Sequence, residues 1–101
     1  MIVRVSEAQL IPGAEEEFLG LLLALVASFP ARYRGLVRHE VLVDHANPRR
    51  VQYVSTWVDE EALIEYAGRN WRSEAVTFPN EEKFLTTPLS LRHYTTAAIK
   101  A

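Results

Sequence analysis

The segment Tyr53-Val54-Ser55-Thr56-Trp57-Val58-Asp59-Glu60-Glu61-Ala62-Leu63-Ile64-Glu65-Tyr66 constrains this chain more than any other. Its first half alternates with the period of a strand, and its second half opens a helix with almost no loop between them. Tyr53, Ser55 and Trp57 fall on one side of the strand, Asp59 is placed to cap the helix, and Glu60 and Glu61 suit the positive end of its dipole. Trp57 and Tyr66 therefore stand where a pocket can form between a sheet and a helix.

The rest of the chain supplies partners for this unit. Residues 2 to 11 alternate Val3, Val5, Glu7 and Gln9 with Ile2, Arg4, Ser6, Ala8 and Leu10, and Pro12-Gly13 ends the run, so a first strand is expected. From Ala14, three glutamates lead into Phe18, Leu19, Leu21, Leu22, Leu23, Leu25 and Val26, which predicts a helix ending near Phe29-Pro30. Its apolar cover is wider than one stripe, which predicts burial around much of its circumference, with Gly20 allowing close approach of a neighbour. A second strand follows from Leu36 to about His45, then a turn over residues 46–50, then a third strand, Val51 to Val58, antiparallel to the second. Gly68 terminates the next helix, Asn70 is placed to cap a further helical piece with Trp71, Ala75 and Val76, a short helix is expected from Asn80 to Leu85, and Leu89 to Ala98 reads as the last strand.

The order βαββαβ in 101 residues is most economically an α+β, ferredoxin-like domain spanning 1–101, with a four-stranded antiparallel sheet and helices on one face. So small a domain buries a modest fraction of its surface, and apolar residues occur on both sides of the strands, with Val37, Val41 and Val43 opposed to Leu36 and Leu42. A homodimer in which two sheets close a barrel is the expectation. The net charge of -2 gives no support for nucleic-acid binding. The arginines at 32, 34, 38, 49 and 50 lack a recognition helix or a glycine-rich phosphate loop, and read as solvated surface or dimer salt bridges. No cysteine is present, so disulfides and thiolate chemistry are excluded. The apolar stretch from Phe18 to Ala27 is too short to span a membrane, and the expected location is the cytoplasm, with no membrane partner.

With Gln9-Leu10-Ile11-Pro12-Gly13-Ala14-Glu15-Glu16-Glu17-Phe18 leading from strand to helix, and Thr56-Trp57-Val58-Asp59-Glu60-Glu61-Ala62-Leu63 as a tryptophan, acid and alanine signature, the chain resembles the antibiotic biosynthesis monooxygenase family of dimeric α/β-barrel proteins over nearly its whole length. The resemblance implies a cofactor-independent monooxygenase acting with O2 on a small aromatic, quinol or anthrone-like, or else a non-catalytic ligand-binding or stress-associated dimer on the same barrel. The family's haem-degrading branch places an asparagine, a tryptophan and a histidine where this chain has Ser6, Tyr66 and Val76, and a valine has no lone pair to ligate iron. Haem degradation is thus disfavoured. His39, His45 and His93 show no short metal-binding spacing, and no metal or other cofactor is expected.

Within that resemblance the candidate catalytic residues are Trp57, Tyr66 and His93. The Trp57 indole N–H can donate to a substrate oxygen, or the ring can simply seal the sheet against the helices. The Tyr66 phenol can hydrogen-bond a ketone or hydroxyl group, or lie on an amphipathic surface. His93 is the candidate for proton transfer, with an ordinary strand histidine as the alternative. Ser6, Tyr53 and Ser55 are candidate substrate-binding residues on the wall of one small, mostly apolar cavity. His39 and Glu40 point to opposite faces of their strand and form no acid/base pair.

Overall fold

The computed structural model describes residues 1–98, so the last three residues of the expected domain lie outside the described residues. Strand β1 (Ile2–Gln9) is followed by α1 (Glu15–Val26), a short α2 (Phe29–Arg32), β2 (Leu36–Val43), β3 (Arg50–Trp57), α3 (Glu60–Ala67), a 3-10 turn over Glu81–Phe84, and β4 (Ser90–Thr95). The sheet runs β2-β3-β1-β4 with every pair antiparallel. This is the ferredoxin-like α+β arrangement expected from the sequence.

Register decides which side chains meet the helices. Arg4 lies opposite Ser55 and His93, Ser6 opposite Tyr53 and Leu91, and Ala8 opposite Val51. These rows, with Trp57 opposite Ile2, face the helices, and Trp57 and Ser55 have no exposed surface. The opposite face carries Val3, Val5, Val54 and Thr56 at its centre. β2 contains an extra residue between Leu36 and Arg38. This bulge at Val37 returns Leu36 to the helix side, opposite Trp57, and leaves Val37 half exposed. Val37 therefore does not share a face with Val41 and Val43 by simple alternation.

The strand ends follow from partners. β4 stops at Thr95 rather than near Ala98 because Thr95 lies opposite Ile2, the first residue of β1. β2 stops at Val43 because the Asp44 carboxylate accepts hydrogen bonds from the Ala46 and Asn47 amides and folds the chain into the hairpin turn.

The helices differ from expectation in three places. α1 buries one stripe, Phe18, Leu22 and Val26, while Leu21 and Leu23 are exposed. Gly20 has open space where a side chain would sit, so it serves no close approach. Pro30 starts the separate α2 instead of ending α1, since proline is tolerated in a first turn where its missing N–H costs nothing. Residues 70–74 form turns rather than a helix: the Ser73 and Glu74 amides both donate to the Asn70 carbonyl, while the carbonyls of Trp71 and Glu74 accept from the Arg4 guanidinium. The side chain of β1 thus takes acceptors that a continuing helix would use.

The strand-to-helix turn after β3 is closed as the sequence indicates. Asp59 Oδ1 accepts from the Ala62 amide at 2.9 Å, and Gly68 ends α3 with its own N–H on the Ile64 carbonyl. α3 lies so near the segment before β2 that a Cβ on Gly35 would collide with the Ala62 methyl group. Gly35→Ala is accordingly expected to cost ~1–3 kcal/mol by overpacking. Ala62→Gly in the same chain should leave the double variant less destabilised than the sum of the two single changes, which a double-mutant cycle in urea checks.

Candidate functional site

Between the helix-facing side of the sheet and the helical layer lies a cavity. Its polar groups come from Arg4 and Ser6 of β1, Tyr53 of β3, Tyr66 of α3 and Glu81 of the 3-10 turn, and its apolar wall from α1, α2 and residues near β4. About 430 Å³ of space between atoms lies along these walls, part of it continuous with solvent, but only about 20 Å³ has room for the centre of a water molecule. In this conformation the cavity is a narrow slot, too small for an aromatic ring unless wall side chains move.

Tyr66 is fixed by aromatic neighbours on several sides. Trp57 stacks on it with centroids 4.5 Å apart and planes 24° from parallel, and Phe29 and Tyr33 meet it edge-on at 5.2 and 5.1 Å. Burial raises the Tyr66 phenol above its ordinary range, outweighing the opposing effect of Arg4, whose guanidinium carbon lies 5.8 Å from the ring centre. The hydroxyl remains protonated near neutral pH and is a hydrogen-bond donor.

Trp57 stands behind Tyr66 and does not line the cavity. Its indole N–H donates to Ser55 Oγ at 2.9 Å, so both groups are committed to each other inside the core. Trp57 can then act on a ligand only through the plane it gives Tyr66, and Ser55 only through Trp57. Tyr53 and Ser6 do line the cavity. The Tyr53 hydroxyl lies 2.7 Å from His39 Nδ1, and burial followed by the charge of Tyr66 raises its phenol too. His39 thus contacts the hydroxyl of a cavity residue, which its pairing with Glu40 in sequence does not reveal.

His93 lies behind Arg4 and off the cavity wall. Arg4 Nη1 is 3.1 Å from His93 Nε2, and because a guanidinium only donates, that ring nitrogen accepts. The imidazole is edge-on to Trp71 at 4.7 Å. Burial, Arg4 and Arg72 all lower its pKa, which keeps the ring neutral and suited to accepting from Arg4. Its free lone pair is thus spent on Arg4.

Ser6, Tyr66 and Val76, the three positions that depart from the haem-degrading pattern, all border this one cavity. No group of three or more His, Asp or Glu side chains among the described residues is placed to hold a metal ion.

Two cavity residues escaped the sequence reading. Arg4 is 3% exposed, with its guanidinium donating to the carbonyls of Trp71 at 2.6 Å and Glu74 at 2.7 Å. A charged residue on the strand side shared with Ser6 and Ala8 was the available signal. Glu81 is also 3% exposed, and its Oε1 accepts from the Phe78 amide at 3.1 Å. In sequence it looks like one of two solvated acids opening a helix. The residue before it, Asn80, has a left-handed backbone with φ of 62°, and the Glu81 side chain is buried.

Burial pushes the Glu81 carboxyl up from 4.5 to about 7, against the lowering effect of the Phe78 N–H and with a further push from Glu82. The folded state therefore keeps a proton that the unfolded chain releases. Stability from this group is fully present below pH 4.5 and is lost as pH rises through about 7. Glu81→Gln keeps an acceptor for the Phe78 N–H but never ionises. Relative to wild type it should gain on the order of 1–3 kcal/mol at about pH 8 and almost nothing in acid, by urea unfolding at both pH values.

The fold has close counterparts among solved structures. A conserved protein from Methanosarcina mazei Go1 superposes with a TM-score of 0.77 at 22% identity, covering 95% of this chain and 92% of the other. A structure described as an antibiotic biosynthesis monooxygenase gives 0.76 at 16% identity, covering 97% and 100%. Rv0793 from Mycobacterium tuberculosis gives 0.75 at 16% identity, covering 99% and 98%. At these identities the likeness is one of fold. No curated protein sequence matches the chain. Residues 1–76, which supply β1 through α3 and every cavity-lining polar group except Glu81, match the sequence pattern of the antibiotic biosynthesis monooxygenases, and the chain belongs to that family.

Proposed function

We propose that this chain is a single-domain cytoplasmic monooxygenase that uses no metal or flavin and oxidises a small electron-rich aromatic, a quinol or an anthrone-like compound, with O2. The observation that carries this reading is the slot between sheet and helices, where Tyr53, Tyr66, Ser6 and Arg4 converge from three elements on an otherwise apolar wall. Such a substrate brings its own electrons. Once deprotonated it passes an electron to oxygen, and the protein's part is to exclude water, orient the ring and favour the anion. An anthrone methylene becomes a carbonyl, taking one oxygen atom, while its two hydrogens leave with the other as water. A quinol likewise gives a hydroxyquinone and water.

In this scheme Tyr66 touches the substrate, donating its O–H to the ring oxygen on which charge develops. Trp57 and Ser55 are positioning residues that hold the Tyr66 plane, and His93 positions Arg4. Tyr53 and Ser6 line the substrate side.

Oxygen uptake by the purified protein with a panel of anthrones and hydroquinones checks the reading. Wild-type protein is expected to consume oxygen, and Tyr66→Phe to lower the rate roughly 10- to 100-fold. Unchanged uptake in Tyr66→Phe would remove Tyr66 from the chemistry. Thermal stabilisation by the same compounds with no uptake would identify a ligand-binding module instead.

The partner we propose is a second copy of the chain, covering the helix-free face of the sheet. Val3, Val5 and Val54 form its centre, and Tyr94 and Leu42 are 53% and 41% exposed toward its edges. A central apolar patch rimmed by Arg38, Glu40 and Arg92 has the layout of an interface between like subunits. Light scattering should give twice the 11.5 kDa chain mass for wild type and a single chain mass for Val54→Lys.

A further inference from the structure

Arg4 and Glu81 border the same cavity, are each 3% exposed, and are not paired with one another. The ion pairs among the described residues are Arg50 with Asp44 and Arg72 with Glu60, both at 3.5 Å. A buried charge is costly unless an opposite charge and hydrogen bonds compensate it. The carbonyls of Trp71 and Glu74 and the neutral His93 take three of the five Arg4 N–H donors, both on Nη1 and one on Nη2, and leave its positive charge in place. Glu81 binds the Phe78 N–H through Oε1 alone, and among the described residues no fully buried polar side-chain atom lacks a partner, so Oε2 keeps some open surface. Glu81 is one of the residues that line the cavity.

We propose that this cavity takes a weakly acidic hydroxyarene and binds it as its anion, with Glu81 receiving the hydroxyl proton and the Arg4 guanidinium holding the oxyanion. The proposal rests on the reading of the cavity as a site for a small aromatic, and it adds the base that His93, bound to Arg4, does not provide. The ligand O–H bond breaks, a carboxyl O–H bond forms, and the electron pair stays on the ligand oxygen. The negative charge moves from Glu81 to the ligand, where Arg4 compensates it. An anthrone enters this scheme through its enol. The anion so formed is the electron-rich species that reacts with O2.

The titratable and charged groups that share the cavity lining with Glu81, and its neighbour Glu82, agree with this division of labour. Tyr53 from β3 and Tyr66 from α3 are held protonated by burial, Arg4 from β1 stays charged, and Glu82 beside it raises the Glu81 carboxyl. Glu81 is left as the cavity group that exchanges a proton near neutral pH.

4-Nitrophenol is a suitable probe, because its phenol and phenolate forms absorb at different wavelengths and its binding needs no turnover. Wild-type protein is expected to bind it as phenolate. Affinity should fall in acid as free phenolate disappears, and fall again above about pH 7, about tenfold per pH unit, as Glu81 loses the proton that the complex requires. Glu81→Gln, which cannot lose that proton and keeps the Phe78 bond, should abolish the alkaline fall and leave a plateau. Arg4→Met should weaken phenolate binding at least roughly tenfold at every pH by removing its counter-charge. Binding by wild type with no alkaline fall, or a fall that persists in Glu81→Gln, overturns the proposal while the aromatic-binding reading stands. Absence of nitrophenol binding to wild type overturns both.

Discussion

The buried guanidinium of Arg4 is the constraint on which the site depends. It sits on the central strand β1 and reaches across to the carbonyls of Trp71 and Glu74, which lie far from it in sequence. Hydrogen bonds from a charged donor are worth about 1.5–3 kcal/mol each, more than neutral ones. They fix a segment that has no regular helix or strand of its own. That segment leads through Phe78 and the left-handed Asn80 to Glu81, so the closure of the cavity on its far side is referred back to one residue of the sheet.

Around this charge the core divides into two aromatic groups. Phe18, Phe78 and Phe84 meet at centroid distances of 5.5 to 6.1 Å and join α1 to the segment before β4. Trp57, Tyr66, Tyr33 and Phe29 join β3, α3 and α2. The slot lies between these groups. Close-packed rings on either side give it stiff walls, while the aliphatic chains of Leu22, Leu25 and Leu89 supply the part that can give way to a ligand.

The fold was legible because its signals are local. Alternation in β1 and β3, the Asp59 cap, and the glycine after α3 each act within a few residues, and the structure has them all. The site was legible only in part. Tyr53 was found because strand periodicity puts it on the side of Trp57, and Ser6 and Tyr66 because the family resemblance puts them at pocket positions, but the same periodicity also selected Ser55 along with Trp57. Periodicity gives a direction and not a depth: the last two point inward and bond to each other below the cavity floor. His93 was chosen for its chemistry, and its contact with Arg4, 89 positions away, has no trace in local pattern.

The sequence by itself determined the order of the four strands and of α1 and α3, the antiparallel hairpin, both caps of α3 and the inner faces of β1 and β3, since backbone stereochemistry and nearest neighbours decide these. Tertiary structure alone decided that Val37 is bulged out, that residues 70–74 abandon helix to bind Arg4, and that Glu81 turns away from water to meet the Arg4 cavity. Each of these outcomes depends on a partner distant in the chain, and the energy of burying a charge or filling a gap is fixed only when that partner arrives.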